Sequence, residues 1–236
     1  MLRRYHRLPC NKKYKYRVQH TFSSFCLLAI MDVRLQSPFN LAIVAPSQSG
    51  KTVLTFKLIE NVEHMITPIP SRIIYCYAEY QEMFSHYPNI EFHEGLPEMS
   101  TFAGNTESIL LVLDDFMSQV NQDISDLFTK YSHHRNISVI FLTQNLFYKG
   151  QHTRTMSLNT HYIILFKNPR DATQIMTLAR QMYPKKSKFM LEAFTDAVKR
   201  TYGYLLVDLK PNTDDSLRLR TNIFPDEAPQ IVYVPK

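Results

Sequence analysis

Cysteine is scarce in this chain of 236 residues, and Cys10, Cys26 and Cys76 show no CxxC spacing, which excludes a disulfide framework and a cysteine-built zinc site. A reducing, intracellular compartment is the expectation that follows. No run approaches the roughly 18 apolar residues of a membrane span, so no membrane partner is expected. HExxH-type spacing is missing, and the adjacent His133 and His134 do not converge on one ion. There is no repeat of solenoid period. Glycine is rare, five residues in all, about 2% against a usual ~7%. The position of each one therefore carries weight.

What is present is the composition of a folded protein with one core: 44% hydrophobic, 20% charged and 12% aromatic. The formal charge of +6 is unevenly spread. Arg3, Arg4, Arg7, Lys12, Lys13, Lys15 and Arg17 stand with no acid among them, and without these seven the remaining 20 cations face 21 acids. Residues 1–30 are thus read as a basic, disordered extension, suited to a phosphate backbone, an anionic surface or a nuclear address. The stretch FSSFCLLAIM (22–31) outlines a secretory signal, but two serines dilute it and no small-residue cleavage site follows. The globular domain is expected over 31–221, followed by an extended, irregular tail over 222–236 with Pro225, Pro229 and Pro235.

From Phe39 onward short apolar runs alternate with longer mixed segments, which predicts an α/β fold with a mostly parallel central sheet flanked by helices. Buried-type strands are expected at 39–44, 72–77, 108–113, 138–143 and 161–166, with two more at 203–209 and 216–221. Helices are expected at 51–64, 80–87, 116–132, 171–182 and near 187–200.

Directly after the first of these strands stands Ala45-Pro46-Ser47-Gln48-Ser49-Gly50-Lys51-Thr52, followed by Val53 and a helix-compatible segment. A phosphate-binding loop needs this context: backbone N–H groups at a helix N-terminus, a lysine for the β- and γ-oxygens of ATP, and a hydroxyl for Mg²⁺. Gly50, Lys51 and Thr52 meet the requirement. The first glycine of the pattern is replaced by Ala45, which restricts the backbone where the loop begins. The chemistry-bearing half of the motif is intact.

A second apolar strand ends in Asp114-Asp115. In a parallel sheet its carboxyl end lies beside the phosphate loop, so Asp114 is the candidate for Mg²⁺ and Asp115 for orienting or deprotonating the attacking water, unless Asp115 only caps the next helix. A third run, SVIFLT, ends in Gln144-Asn145. If this strand is inserted between the other two, Gln144 reaches the γ-phosphate as a sensor amide. Together the three tips indicate a RecA-like (ASCE) P-loop NTPase. Such sites take a cation from the neighbouring subunit, for which Arg154 and Arg170 are the candidates and Arg135 a third option; each also suits a surface ion pair. Asp214-Asp215 reads as a hairpin turn, and Lys185, Lys186 and Lys188 as a solvated face or a DNA-facing loop.

The runs HHRNISVIFLTQNLF (133–147) and RTMSLNTHYIILFKNPRDATQIMTLARQMYP (154–184), with YCYAEYQ (75–81) and EFHEGLP (91–97), resemble the genome-packaging ATPases of Polinton (Maverick) elements and adintoviruses. More distant relatives occur in poxviruses and virophages, within the FtsK–HerA superfamily. The resemblance spans about 34–210 and implies a ring-forming motor, most often hexameric, that hydrolyses ATP to draw double-stranded DNA into a capsid. It implies capsid proteins as partners and a nuclear, viral-assembly or virion-associated location. It also implies Lys51 and Thr52 in the phosphate loop, Asp114 and Asp115 as the magnesium and base pair, and Gln144 as sensor. Glycine frequently stands in that family where Ala45 and Gln48 stand here, so a catalytically inactive or domesticated remnant is the rival reading. A small-molecule or nucleoside kinase is a third, against which the Gln144-Asn145 tip argues.

Overall fold

The computed structural model describes residues 6–7, 15–17 and 32–236 apart from 103, 105, 117–121, 133–134, 148–150, 228 and 236, with backbone alone at 6–7, 15–17, 99 and 151–153. Most of the basic extension, Cys10, Cys26, the stretch 22–31, the pair His133-His134 and residues 117–121 of the helix expected at 116–132 lie outside the described residues.

The centre of the molecule is a sheet whose inner strands are apolar because both faces are covered. Its parallel body consists of β4 (Asn40–Val44), β6 (Arg72–Tyr77), β7 (Glu91–Glu94), β8 (Ile109–Asp114), β9 (Ile137–Thr143) and β10 (Tyr162–Phe166). These stand in the order β10-β4-β9-β8-β6-β7. Every residue of β4, β8, β9 and β10 is buried. Side chains alternate between two layers, as a period of two requires. Leu110 and Val112 of β8 join Leu54, Phe56, Leu58 and Ile59 of helix α1 (Lys51–Glu60) on one face. Leu111 and Leu113 pack on the other face with Ile124, Leu127, Phe128 and Met156. These come from α3 (Gln122–Asp126), the π-turn Leu127–Tyr131 and α4 (Gln151–Leu158). A short helix α2 (Val62–Met65) follows α1.

Beyond β10 the sheet continues as an antiparallel wing: β11 (Tyr204–Asp208), β12 (Leu219–Thr221), β13 (Ile231–Tyr233) and, at the edge, β2 (Lys15–Arg17) with β1 (His6–Arg7). The hairpin of α5 (Ala172–Met182) and α6 (Ser187–Ala197) covers Ile163, Leu165, Leu205 and Val207. A separate pair, β3 (Leu35–Gln36) with β5 (Ile66–Thr67), lies outside this sheet.

Several departures from the expected elements have physical causes. The segment after Asn222, expected to be irregular because of its prolines, supplies β13, whose Val232 and Tyr233 are buried. Pro225 is accommodated in a 3₁₀ turn, Pro225–Glu227, ahead of that strand. The helix expected at 80–87 is a 3₁₀ turn, Glu82–His86. β7 was not expected at all: an edge strand reading Glu-Phe-His-Glu is mostly exposed and shows no apolar run. Asp214 caps the 3₁₀ turn Asp215–Leu217 by accepting from the Ser216 N–H at 2.8 Å, and Asp215 pairs with Arg218 at 2.7 Å. Both roles are structural. Cys76 is buried, its thiol pushed up to about 12 by burial, so it is no nucleophile at neutral pH.

Candidate functional site

The sheet register brings the strand tips level. Val44 pairs with Thr143, and Leu142 pairs with Asp114, so β9 lies between the strand that leads into the phosphate loop and the strand that ends in the carboxylates. Ala45 N–H donates to the Thr143 carbonyl at 3.0 Å, carrying the ladder one residue past β4. Ala45 is buried and has no positive φ, so alanine is no obstacle where the loop begins. The conformational demand falls three residues later. Gln48 has φ 62 and Gly50 φ 92, left-handed values that glycine adopts at no cost and glutamine only with strain.

Gly50 is the N-cap of α1 and makes no side-chain cap hydrogen bond, which leaves the first-turn N–H groups facing the loop. The Lys51 ammonium bridges the loop, donating to the carbonyls of Ala45 (2.9 Å) and Pro46 (3.1 Å). The Ser49 hydroxyl donates to the same Pro46 carbonyl at 2.6 Å. Thr52 is half-buried in the first turn; Ser47, Gln48 and Val53 are exposed.

Electrostatics tie the two motifs together. Burial lowers the Lys51 pKa, and the charges of Asp114 and Asp115 oppose that shift. Burial raises the Asp114 pKa and the Asp115 charge adds to the rise, while the hydrogen bond from Tyr75 and the charge of Lys51 oppose it. A cation and two carboxylates therefore share one partly desolvated edge of the sheet. Asp114 is buried and accepts a 2.6 Å hydrogen bond from the Tyr75 hydroxyl, itself within the core. Burial and the Asp114 carboxylate push the Tyr75 phenol upward, so it remains a donor. Asp115 is exposed with φ 66, a left-handed conformation that an aspartate tolerates and that turns the chain at the end of β8.

Gln144 is exposed just past β9. The turn that carries it is braced by Thr143, whose hydroxyl accepts from the Asn145 N–H (3.2 Å) and donates to the Asn145 carbonyl (3.1 Å). The same loop is held to α5 by Gln174, whose amide donates to Asn145 Oδ1 at 3.2 Å.

The arginines separate. Arg170 is exposed on the loop after β10, at the carboxyl edge shared with the phosphate loop. Arg154 is exposed on α4, along the crossover from β9 to β10. Arg135 precedes β9, at the opposite edge, and its guanidinium donates to the Phe102 carbonyl at 3.1 Å. Lys185, Lys186 and Lys188 are exposed around the α5–α6 turn, away from the loop edge.

Two residues escaped the sequence reading. Tyr75 looked like one apolar residue of a strand, and only the β6–β8 pairing brings its hydroxyl to Asp114. Its ring also stacks on Phe56 of α1, centroids 5.2 Å apart. Tyr202 lies in a turn distant in sequence, yet its ring rests against Gly50: a Cβ placed there would lie 3.2 Å from Tyr202 Cδ1.

No curated protein sequence matches the chain significantly. A solved structure, the genome packaging NTPase B204 from Sulfolobus turreted icosahedral virus 2 in complex with ATP-gammaS, is similar with a TM-score of 0.46 and 12% identity, over 75% of this chain and 95% of that one. The family model described as Poxvirus A32 protein matches residues 31–208, from just before β3 to the end of β11, and the chain belongs to that family.

Proposed function

We propose that this protein is an ATP-hydrolysing motor of the RecA-like (ASCE) class that moves double-stranded DNA into a capsid. The observation that carries the proposal is the levelling of three strand tips at one sheet edge, with Lys51 in the field of Asp114 and Asp115 and with β9, which ends one residue before Gln144, inserted between the other two strands. Membership of the poxvirus A32 family supports the packaging role.

In this reading the N–H groups of 47–52 and the Lys51 ammonium hold the β- and γ-phosphates of ATP. Among the described residues no three His, Cys, Asp or Glu side chains cluster as a metal cage. A hydroxyl and a carboxylate, Thr52 and Asp114, nonetheless fit Mg²⁺, which keeps several waters and takes its other oxygens from phosphate. Bound there, the ion would supply neutralisation of charge on the phosphate oxygens. Asp115 accepts the proton of the attacking water, and the Gln144 amide orients that water against the γ-phosphate. Arg170, at the loop edge, is the better placed of the two exposed arginines to reach a neighbouring subunit's nucleotide; Arg154 is the alternative. The assembly is a homo-oligomeric ring, a hexamer in the Polinton-like form of the reading, with double-stranded DNA and capsid proteins as partners at a nuclear or viral assembly site.

The test is turnover by the purified full chain with and without linear double-stranded DNA, alongside electron microscopy with non-hydrolysable ATP. DNA-stimulated hydrolysis and closed rings are expected. Monomers under all these conditions, with turnover indifferent to DNA, overturn the motor. A second reading, nucleotide binding without hydrolysis in a remnant of such an element, is favoured by strained Gln48 in the loop; bound ATP that stays intact in the presence of DNA would establish it.

Tyr75 has a role in this scheme that its hydroxyl alone performs. Tyr75→Phe keeps the stack on Phe56 but frees one Asp114 oxygen, so the Mg²⁺ concentration for half-maximal turnover should rise about tenfold, as for other groups that orient a metal-binding carboxylate. Magnesium titration of the variant checks this, and an unchanged half-point removes Tyr75 from the site.

A further inference from the structure

Two apolar side chains beside the phosphate loop stand in water: Val53, 67% exposed in the first turn of α1, and Tyr202, 66% exposed. Tyr202 occupies the third position of a turn closed by the Gly203 N–H donating to the Arg200 carbonyl at 2.9 Å. Its φ of 58 is a left-handed conformation that glycine or asparagine adopts readily and a bulky aromatic residue rarely does. The turn itself is rigidly seated. A Cβ on Gly203 would lie 2.5 Å from the Ala197 carbonyl oxygen and 2.9 Å from that of Arg200, so the turn packs directly on the end of α6. The Tyr202 ring thus adds little to the core, sits in a costly backbone, and is delivered onto Gly50, the residue before Lys51.

From this we infer that Tyr202 is the base platform of the site: its ring stacks on the purine of a nucleoside triphosphate whose phosphates lie in the loop, with Val53 flanking the same end. An exposed aromatic face next to a phosphate cradle has this chemistry, since base–aromatic stacking needs a π-surface and no hydrogen-bond code. Strain that glycine would relieve, retained at a ligand-facing position, is what a ring held for binding requires. The inference rests on the reading of 45–52 as a triphosphate cradle and adds to it the recognition of the base.

Calorimetric titration of the full chain with Mg-ATP and, separately, with inorganic tripolyphosphate separates the two ideas. Tyr202→Gly suits the observed φ and removes the ring, so its melting temperature should not fall. It is expected to bind ATP about tenfold more weakly while its tripolyphosphate affinity stays within about twofold of wild type. Tyr202→Phe keeps the face and should bind ATP as wild type does. Tyr202→Asn, the other side chain at ease in this conformation, should behave like the glycine variant. Unchanged ATP affinity in the glycine and asparagine variants overturns the platform and leaves the cradle standing. Equal loss of ATP and tripolyphosphate assigns the ring to loop shape and also overturns it. A wild-type chain that binds neither ligand removes the cradle reading, and the platform with it.

Discussion

Lys51→Ala is expected to lower ATP turnover about a hundredfold or more, the usual cost of deleting one preorganised charge from a reacting centre, while leaving the fold in place. The ammonium is half-buried, lowered in pKa by desolvation, and donates to two loop carbonyls that water can satisfy in its stead. Its removal takes a positive charge out of the loop without opening a cavity in the core. Lys51→Arg should not rescue, because a planar fork does not substitute for a compact point charge in a loop of this size. Steady-state hydrolysis, with circular dichroism to confirm folding, decides the matter. Turnover near the wild-type rate in the alanine variant would take Lys51 out of the chemistry, and with it the reading of 45–52 as a phosphate loop.

The largest effect on stability is expected at the other end of the sheet. Arg220 of β12 is only 2% exposed and pairs with Asp208 of β11, also buried, at 3.2 Å. The guanidinium also donates to the Val33 carbonyl, while its Nε has no partner among the described residues. Asp208 in turn accepts from the Lys210 N–H (3.1 Å) and the Thr213 hydroxyl (2.9 Å), which ties the end of β11 to the turn that follows. Asp208→Ala leaves a guanidinium buried without its counter-charge, at a cost of about 3–5 kcal/mol. The double replacement Asp208→Leu with Arg220→Met removes both charges and should recover most of that loss. Urea midpoints of the three proteins measure it. Asp208 pairs with Tyr162 at the start of β10, at the edge away from the phosphate loop, so nucleotide affinity of the folded fraction should be unchanged. A shift in that affinity would show that the wing and the site are coupled.

The parts of the fold that were legible in advance share one property. β4, β8, β9 and β10 are buried on both faces, and burial of that kind demands uninterrupted apolar residues, which a sequence displays directly. β7 and β13 were not legible for the opposite reason. β7 is held by hydrogen bonds to β6 and keeps three of its four side chains exposed, and β13 follows a run with Pro225 and Pro229 whose composition reads as irregular. Pairing with a neighbour stabilises such strands, and a neighbour distant in sequence leaves no periodic trace.

The same division runs through the site. The order of residue types around Gly50-Lys51-Thr52, the doublet Asp114-Asp115 at the end of an apolar run, and Gln144 after another were set down in the sequence because each is a local pattern: a strand, then a polar tip. Whether those tips meet depended on strand order and register, and on Thr143 bracing the turn that carries Gln144. Which of the loop positions lacking glycine bears the strain was likewise decided in three dimensions: Ala45 has no positive φ, whereas Gln48 is left-handed. Tyr75 on Asp114 and Tyr202 on Gly50 belong wholly to the tertiary structure. Local pattern encodes which groups a chain can offer, because backbone conformation and burial act on neighbours; which of them face one another is settled by contacts between distant segments, whose free energy appears only when the sheet has closed around its core.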